Sequence, residues 1–166
     1  MCQSEDNVNL SKENFLNTLP IKDEIEFNNI TLKRVGGKHG TGIVGKSMGT
    51  VSGYILKHKD EPTIYIAGDT IWCEDVENAI KENNPDIIIV FGGAAQFLKG
   101  GVITMDKSDI QNVCLQAPNA KVIVIHMEAL NHCLLKRQDL KTFCEENNLS
   151  NQVIIPDDNQ FLEIRL

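Results

Sequence analysis

The sequence has no surplus of positive charge, no CxxC pair and no long hydrophobic run. Sixteen Lys and Arg residues against 23 Asp and Glu leave a net charge of -7, which argues against a phosphate backbone or an anionic membrane surface as partner; no nucleic-acid or membrane binding is expected. The five cysteines, Cys2, Cys73, Cys114, Cys133 and Cys144, are odd in number and show no paired spacing, so they read as thiols kept reduced in the cytoplasm. No apolar stretch approaches the ~18 residues that a membrane-spanning helix requires, and the first residues lack the basic-then-apolar pattern of a secretory leader. Internal repeats, low-complexity tracts and linkers are also missing. The 166 residues therefore read as a single domain, 1–166, with residues 1–20 peripheral or loosely ordered.

What is present is organised around Thr63-Ile64-Tyr65-Ile66-Ala67-Gly68-Asp69-Thr70. The β-branched and aromatic residues up to Ala67 predict a strand buried on both faces, and Gly68 supplies a sharp turn that leaves Asp69 at the strand tip. Two roles fit that carboxylate. In an open α/β sheet, ligands and metals gather at the carboxyl ends of strands; alternatively, Asp69 caps the helix predicted from Glu74 to Asn83.

Upstream, Ser11 and Asn14 suggest a short helix beginning near Ser11, and Glu24 to Phe27 with Ile30 to Val35 predict an antiparallel hairpin turned at Asn28-Asn29. Downstream, Asp86 to Phe91 and Lys121 to Ile125 are further apolar strands. They alternate with helices predicted from Asp106 to Ala117 and from Leu135 to Asn147, with short strands at Val153 to Pro156 and Phe161 to Ile164. Strand and helix in alternation predict an α/β fold whose mixed sheet contains parallel βαβ units with right-handed crossovers.

Gly40-Thr41-Gly42-Ile43-Val44-Gly45 spells GxGxxG, the pattern of a dinucleotide site. That site requires a helix opening at the last glycine, whereas Lys46 to Gly53 carries two more glycines before the strand from Tyr54 to Lys57, so nucleotide binding is set aside on context. The same glycine-rich segment carries His39. The third apolar strand ends on His126, repeating the pattern of Asp69. Imidazole and carboxylate together form a donor set suited to zinc, manganese or iron. A solitary histidine at a strand end is also compatible with a purely structural role.

Gly37-Lys38-His39-Gly40-Thr41-Gly42, Tyr65-Ile66-Ala67-Gly68-Asp69-Thr70-Ile71-Trp72 and Ile125-His126-Met127-Glu128-Ala129-Leu130-Asn131-His132-Cys133 resemble the later motifs of metallo-β-lactamase-fold hydrolases, in the branch similar to ascorbate-phosphate lactonases. The resemblance runs from about Ile21 to the end. It implies the C-terminal part of an αββα sandwich with a binuclear centre, and hydrolysis of a small-molecule ester, lactone, amide or phosphoester by metal-activated water. By this resemblance His39 is a ligand of the first metal, Asp69 the bridging carboxylate, and His126 the last ligand of the second; His132 is a weaker candidate for substrate contact or proton transfer. The motif HxHxDH of such hydrolases occurs nowhere in the sequence, and no histidine precedes His39. The resemblance thus implies a chain equivalent to the second half of such a hydrolase and catalytically incomplete in isolation. A half sandwich must cover its open sheet, which points first to a homodimer, next to a partner chain carrying the N-terminal half, with the Met1 to Leu19 segment folded over the sheet as the third way. The alternative is a non-enzymatic binding or assembly module that keeps the fold.

Overall fold

The computed structural model describes residues 1–128 and 130–164. Seven strands form the main sheet: β3 (Glu24–Phe27), β4 (Ile30–Val35), β5 (Gly53–His58), β6 (Glu61–Ile66), β7 (Ile87–Phe91), β8 (Lys121–Ile125) and β9 (Val153–Ile154). Their spatial order is their chain order. From β3 to β6 every pairing is antiparallel; from β6 to β9 every pairing is parallel, so β6 is the strand at which the sheet changes character. The hairpin between β3 and β4 turns on Asn28 and Asn29, both at positive φ (51° and 63°), as the asparagine pair predicts.

The three parallel steps are crossed by α3 (Glu74–Asn83), α4 (Lys107–Gln116) and α5 (Arg137–Glu146). Asn84 ends α3 in the left-handed conformation just before Pro85, and Asp106 caps α4 by accepting the backbone N–H groups of Ser108 and Asp109. All three helices pack on one face of the sheet. That face is the cross-strand row Ile55, Tyr65, Ile88, Val122 and Val153, with Val90 and Val124 beside it. It meets Val76 and Ile80 from α3, Ile110 and Val113 from α4, and Leu140 from α5. Each such side chain withdrawn from water contributes about 1.5–3 kcal/mol.

The opposite face carries a second set of apolar rows, Leu32, Leu56, Ile64 and Ile87, then Ile66, Ile89, Ile123 and Ile154. These rows lie outside the helix-covered core, and a cleft of about 470 Å³ opens over Leu56, Ile64 and Ile87. The expectation that β6 is buried on both faces therefore needs correction. Tyr65 and Ala67 are fully buried under the helices, whereas Ile64 and Ile66 on the other side are only partly so.

The N-terminal segment docks near the top of this open face. β1 (Cys2–Gln3) pairs in parallel with β2 (Pro20–Ile21), and the Arg34 guanidinium donates to Ser4 Oγ, Glu5 and Ser52 Oγ. Its helix, α1 (Asn7–Lys12), ends near Ser11 instead of beginning there. The Ser11 hydroxyl bonds back to the Asn7 carbonyl, and Asn14 stands past the end at φ 66°. Two other expectations are also corrected. Phe161 to Ile164 form no strand, and a six-residue helix, α2 (Gly42–Ser47), does open inside the GxGxxG segment. It starts at Gly42, not at Gly45, and β4 ends several residues earlier, so the strand–turn–helix context of a dinucleotide site is still missing. Among the described residues no helix is long and apolar enough to cross a membrane.

Candidate metal centre

β6 and β8 flank β7, so their tips are two strand spacings apart, roughly 10 Å. The sequence closes that gap locally. After β6 the backbone turns at Gly68 (φ 73°), where a Cβ would meet the Ser52 carbonyl at 3.0 Å, and delivers Asp69 above the sheet edge. β7 ends in Gly92-Gly93, and a Cβ on Gly93 would lie 2.5 Å from the His126 carbonyl oxygen. The bare backbone there lets the loop after β8 fold over the tip of β7. His126 follows β8 at φ 57°, a conformation that non-glycine residues seldom adopt, and its ring meets Phe91 edge-on at 5.1 Å. As a result His126 Nε2 and Asp69 Oδ1 face each other at 3.6 Å, too far for a hydrogen bond.

Asp69 Oδ1 is itself shielded from solvent and has no hydrogen-bond partner. A buried carboxylate oxygen left unpaired is costly. The helix-cap role offered above for Asp69 is not what the structure shows: the N-cap of α3 is Cys73, and no side chain caps that end. An orphaned anionic oxygen opposite an imidazole nitrogen is a pair of donors turned toward one point, which is the chemistry a divalent cation accepts.

His39 approaches this end of the sheet from the other side of β5. The loop after β4 is tied to the tip of β6 by Thr70, whose hydroxyl accepts the Lys38 N–H (2.9 Å) and donates to the Ile71 carbonyl (2.8 Å), while Ile71 N–H donates to the Lys38 carbonyl (2.9 Å). Desolvation, the largest influence, pushes the His39 pKa below its ordinary value; the Asp69 carboxylate pulls it upward, and His126 and His132 push it down. Low basicity keeps the imidazole neutral near pH 7 and its lone pair available. These four groups, the sequence-derived candidates, are thus electrostatic neighbours at one end of the sheet. Among the described residues, however, no three His, Cys, Asp or Glu side chains converge closely enough to hold one ion by themselves.

His132 stands apart from the Asp69–His126 pair. Gln96 N–H donates to its carbonyl (2.9 Å), Cys133 bridges to Ala95, and its ring stacks on Phe97 at 5.9 Å. Glu128 points away into an ion pair with Arg137, and His58 Nδ1 accepts the Asp60 N–H in the β5–β6 turn. Ala129, part of the third motif, lies outside the described residues. Sequence reasoning passed over Thr70, Gly93 and Phe97. Thr70 could have been noticed from its place directly after Asp69, whereas nothing local distinguishes Phe97.

A sheet that switches from antiparallel to parallel, with helices on one face and a carboxylate and an imidazole facing each other at its C-terminal edge, is an open α/β arrangement with a candidate metal-binding edge. No family model matches the chain. It is 40% identical over 147 residues to the UPF0173 protein YddR of Bacillus subtilis, covering 88% of this chain and 58% of that protein. Among solved structures it is similar to an isothiocyanate hydrolase from Delia radicum gut bacteria, with 31% identity, TM-score 0.89, and 96% of this chain and 67% of that one covered. It is likewise similar to a possible metal-dependent hydrolase from Veillonella parvula, with 35% identity, TM-score 0.90, and coverages of 95% and 63%. At 10% identity, the metallo-β-lactamase-fold protein YhfI of Bacillus subtilis matches in fold alone, with TM-score 0.68 over 96% of this chain and 60% of that one. The chain has the metallo-β-lactamase fold and belongs to the same family as the isothiocyanate hydrolase. It spans 58% of the length of the curated relative it matches.

Proposed function

We propose that this chain supplies His39, Asp69 and His126 to a two-metal centre that hydrolyses an ester, lactone, amide or phosphoester bond in a small molecule. The observation that carries the reading is the unpaired, shielded Asp69 Oδ1 turned toward His126 Nε2. The mixed oxygen and nitrogen donors suit zinc or manganese, and also iron. A divalent metal held by these residues would supply Lewis-acid polarisation of the scissile bond and a water of lowered pKa. The chain's own residues fix the geometry: Thr70 holds the His39 loop against Asp69, Phe91 holds the His126 ring, and burial keeps His39 unprotonated. His132, whose charge would bear on His39, would contact substrate or carry a proton. The relative that hydrolyses isothiocyanates adds a cumulated N=C=S carbon to the electrophiles such a centre would serve.

With Asp69 shared, His39 and His126 would leave each of two ions with two ligands from this chain, and a catalytic zinc normally has about three. The remainder would come from a segment bearing HxHxDH, a pattern absent from these 166 residues. The open sheet face beside Ile64 and Ile66 is where that half, or a second copy of this chain in a homodimer, would dock. The unpaired thiols suit the reducing cytoplasm.

The test is elemental analysis and calorimetric titration with Zn²⁺ and Mn²⁺ on the wild type, Asp69→Asn and His126→Ala, alongside turnover of 4-nitrophenyl acetate and bis(4-nitrophenyl) phosphate. Metal uptake that weakens at least tenfold in both variants supports the centre; equal uptake in all three proteins overturns it. The second reading, a binding module without turnover, is favoured by the lack of three converging donors among the described residues. It would show as an empty wild type that is inert toward both esters.

A further inference from the structure

The segment Gly40-Thr41-Gly42-Ile43-Val44-Gly45 lacks the context of a dinucleotide site, but its glycines still shape the surface around His39. A Cβ on Gly45 would lie 2.4 Å from the Gly40 carbonyl oxygen, and one on Gly40 would lie 2.8 Å from Ile103 Cγ2, so at these two positions bare backbone lets the loop close on itself and on its neighbour. Gly42 and Gly49 differ. A Cβ on either meets nothing within 4 Å, and both border a cleft of about 390 Å³. Five of the nine residues lining that cleft are glycines, and the other four are Lys38, His39, Thr41 and Lys46. The volume falls at the lower end of the range that small-molecule sites occupy, ~300–1,000 Å³.

The lining decides what kind of ligand fits. Among the described residues it contains no large apolar side chain, so a hydrocarbon gains little by entering. It contains two ammonium groups and, among the described residues, no Asp or Glu. Neither Lys38 nor Lys46 forms an ion pair with a described residue, although the chain as a whole is acidic at a net charge of -7. Two unneutralised cations on one concave wall attract negative charge. The same wall includes His39, one of the proposed metal ligands. Lys38 is also fastened directly to the residues after Asp69: its N–H donates to Thr70 Oγ1 at 2.9 Å, and its carbonyl accepts the Ile71 N–H at 2.9 Å. Asp69 itself does not line the cleft.

We propose that this cleft holds an anionic group of the substrate, a carboxylate or a phosphoryl group, with Lys38 and Lys46 as its counter-charges and the glycine backbone as the wall it lies against. The inference rests on the hydrolase reading above and deepens it by naming a substrate class: small molecules with a negative charge a few atoms from the bond to be cut. An anion in the cleft stands beside His39, and the rest of the molecule extends toward the sheet edge where Asp69 and His126 face each other. Lys38 and Lys46 are thus positioning residues that select for charge. The same lining excludes a dinucleotide, because it offers no carboxylate to the ribose hydroxyls and no apolar surface to a base.

The experiment titrates the whole chain, stripped of metal on a chelating resin, with sodium phosphate and separately with sodium acetate, each replacing sodium chloride at constant ionic strength, and follows the backbone amides in ¹H–¹⁵N spectra. Saturable shifts centred on Gly37 to Gly49 are expected with at least one of the two anions, and the one that saturates at lower concentration identifies the group. Lys46→Glu reverses one charge on α2 and should weaken the apparent affinity by roughly 3- to 30-fold. Lys141→Glu makes the same change of net charge on α5, outside the cleft, and should leave the affinity within about 2-fold. Both side chains are exposed, so amide spectra of the two variants should match the wild type elsewhere. Equal weakening in both variants would overturn the proposal by showing a response to overall charge alone. Shifts centred on Lys57 to Lys59, or no saturation by about 50 mM of either anion, would overturn it as well. Anion binding here needs no metal, so the cleft can fail while metal uptake by Asp69 and His126 stands, and the reverse.

Discussion

Thr70→Val removes one hydroxyl and keeps the side chain's shape, and it tests how His39 is held. Thr70 is fully buried, and its Oγ1 makes two bonds, accepting the Lys38 N–H at 2.9 Å and donating to the Ile71 carbonyl at 2.8 Å. Valine leaves both backbone groups without that partner, and the remaining Ile71–Lys38 backbone bond is the other tie between the His39 loop and β6. Losing two bonds of ordinary net worth, with buried groups left unsatisfied, should cost about 1–3 kcal/mol. At 1.4 kcal/mol per factor of ten, this corresponds to roughly 5- to 150-fold faster hydrogen exchange at the Lys38 amide. Thr70→Ser keeps the hydroxyl and loses only a methyl, about 0.8 kcal/mol of burial. Its urea midpoint should therefore fall while Lys38 stays protected. Exchange followed by NMR on both variants separates the two effects. If Lys38 keeps its protection in Thr70→Val, or loses it equally in Thr70→Ser, the hydroxyl is not what fastens the loop.

Two further outcomes follow from burial. Native-state titration with a thiol reagent at pH 7 should label Cys2 and Cys73 first. Burial pushes Cys114 up to about 12 and raises Cys133 and Cys144 as well, so the thiolate fraction of Cys114 should be over ~1,000-fold below that of a free thiol; simultaneous labelling of all five would contradict the packing. Desolvation raises the Asp109 pKa even though its carboxylate accepts the Trp72 N–H, so ionising it in the fold costs stability as pH rises above the ordinary aspartate value. Asp109→Asn should accordingly raise the melting temperature at pH 7 and do so less at pH 3; a variant equally shifted at both pH values would show that charge is not the cause.

The fold was legible wherever local signals agreed. Asn28-Asn29 dictated a turn, Asp106 a helix start, and Asn84-Pro85 a helix end, and each lies where side-chain chemistry alone placed it. The failures came from information that is not local. Phe161 to Ile164 has strand-forming residues but no strand, and the helix at Gly42 forms despite glycines that disfavour it. Ile64 and Ile66 are as apolar as Tyr65, so no pattern within β6 announces that only one of its faces meets helices. At the site, Asp69 and His126 drew attention from sequence because each follows an apolar strand, and His39 because it lies in a glycine-rich segment. The stacking of Phe97 on His132 was hidden because the two residues are distant in sequence and lie on loops that meet at the Ala95–Cys133 bridge.

Because spatial order and chain order coincide across all seven strands, each new strand of the main sheet is added at an edge made by the strand synthesised just before it. No strand has to be threaded between two that are already joined. During translation the hairpin half, whose contacts are short-range, is finished before the first crossover helix leaves the ribosome, and it offers β6 as a template for everything that follows. This strand order permits growth of the sheet in the direction of synthesis. A pause after β6 would leave a competent ribbon awaiting its next neighbour, with no need to undo what has already formed.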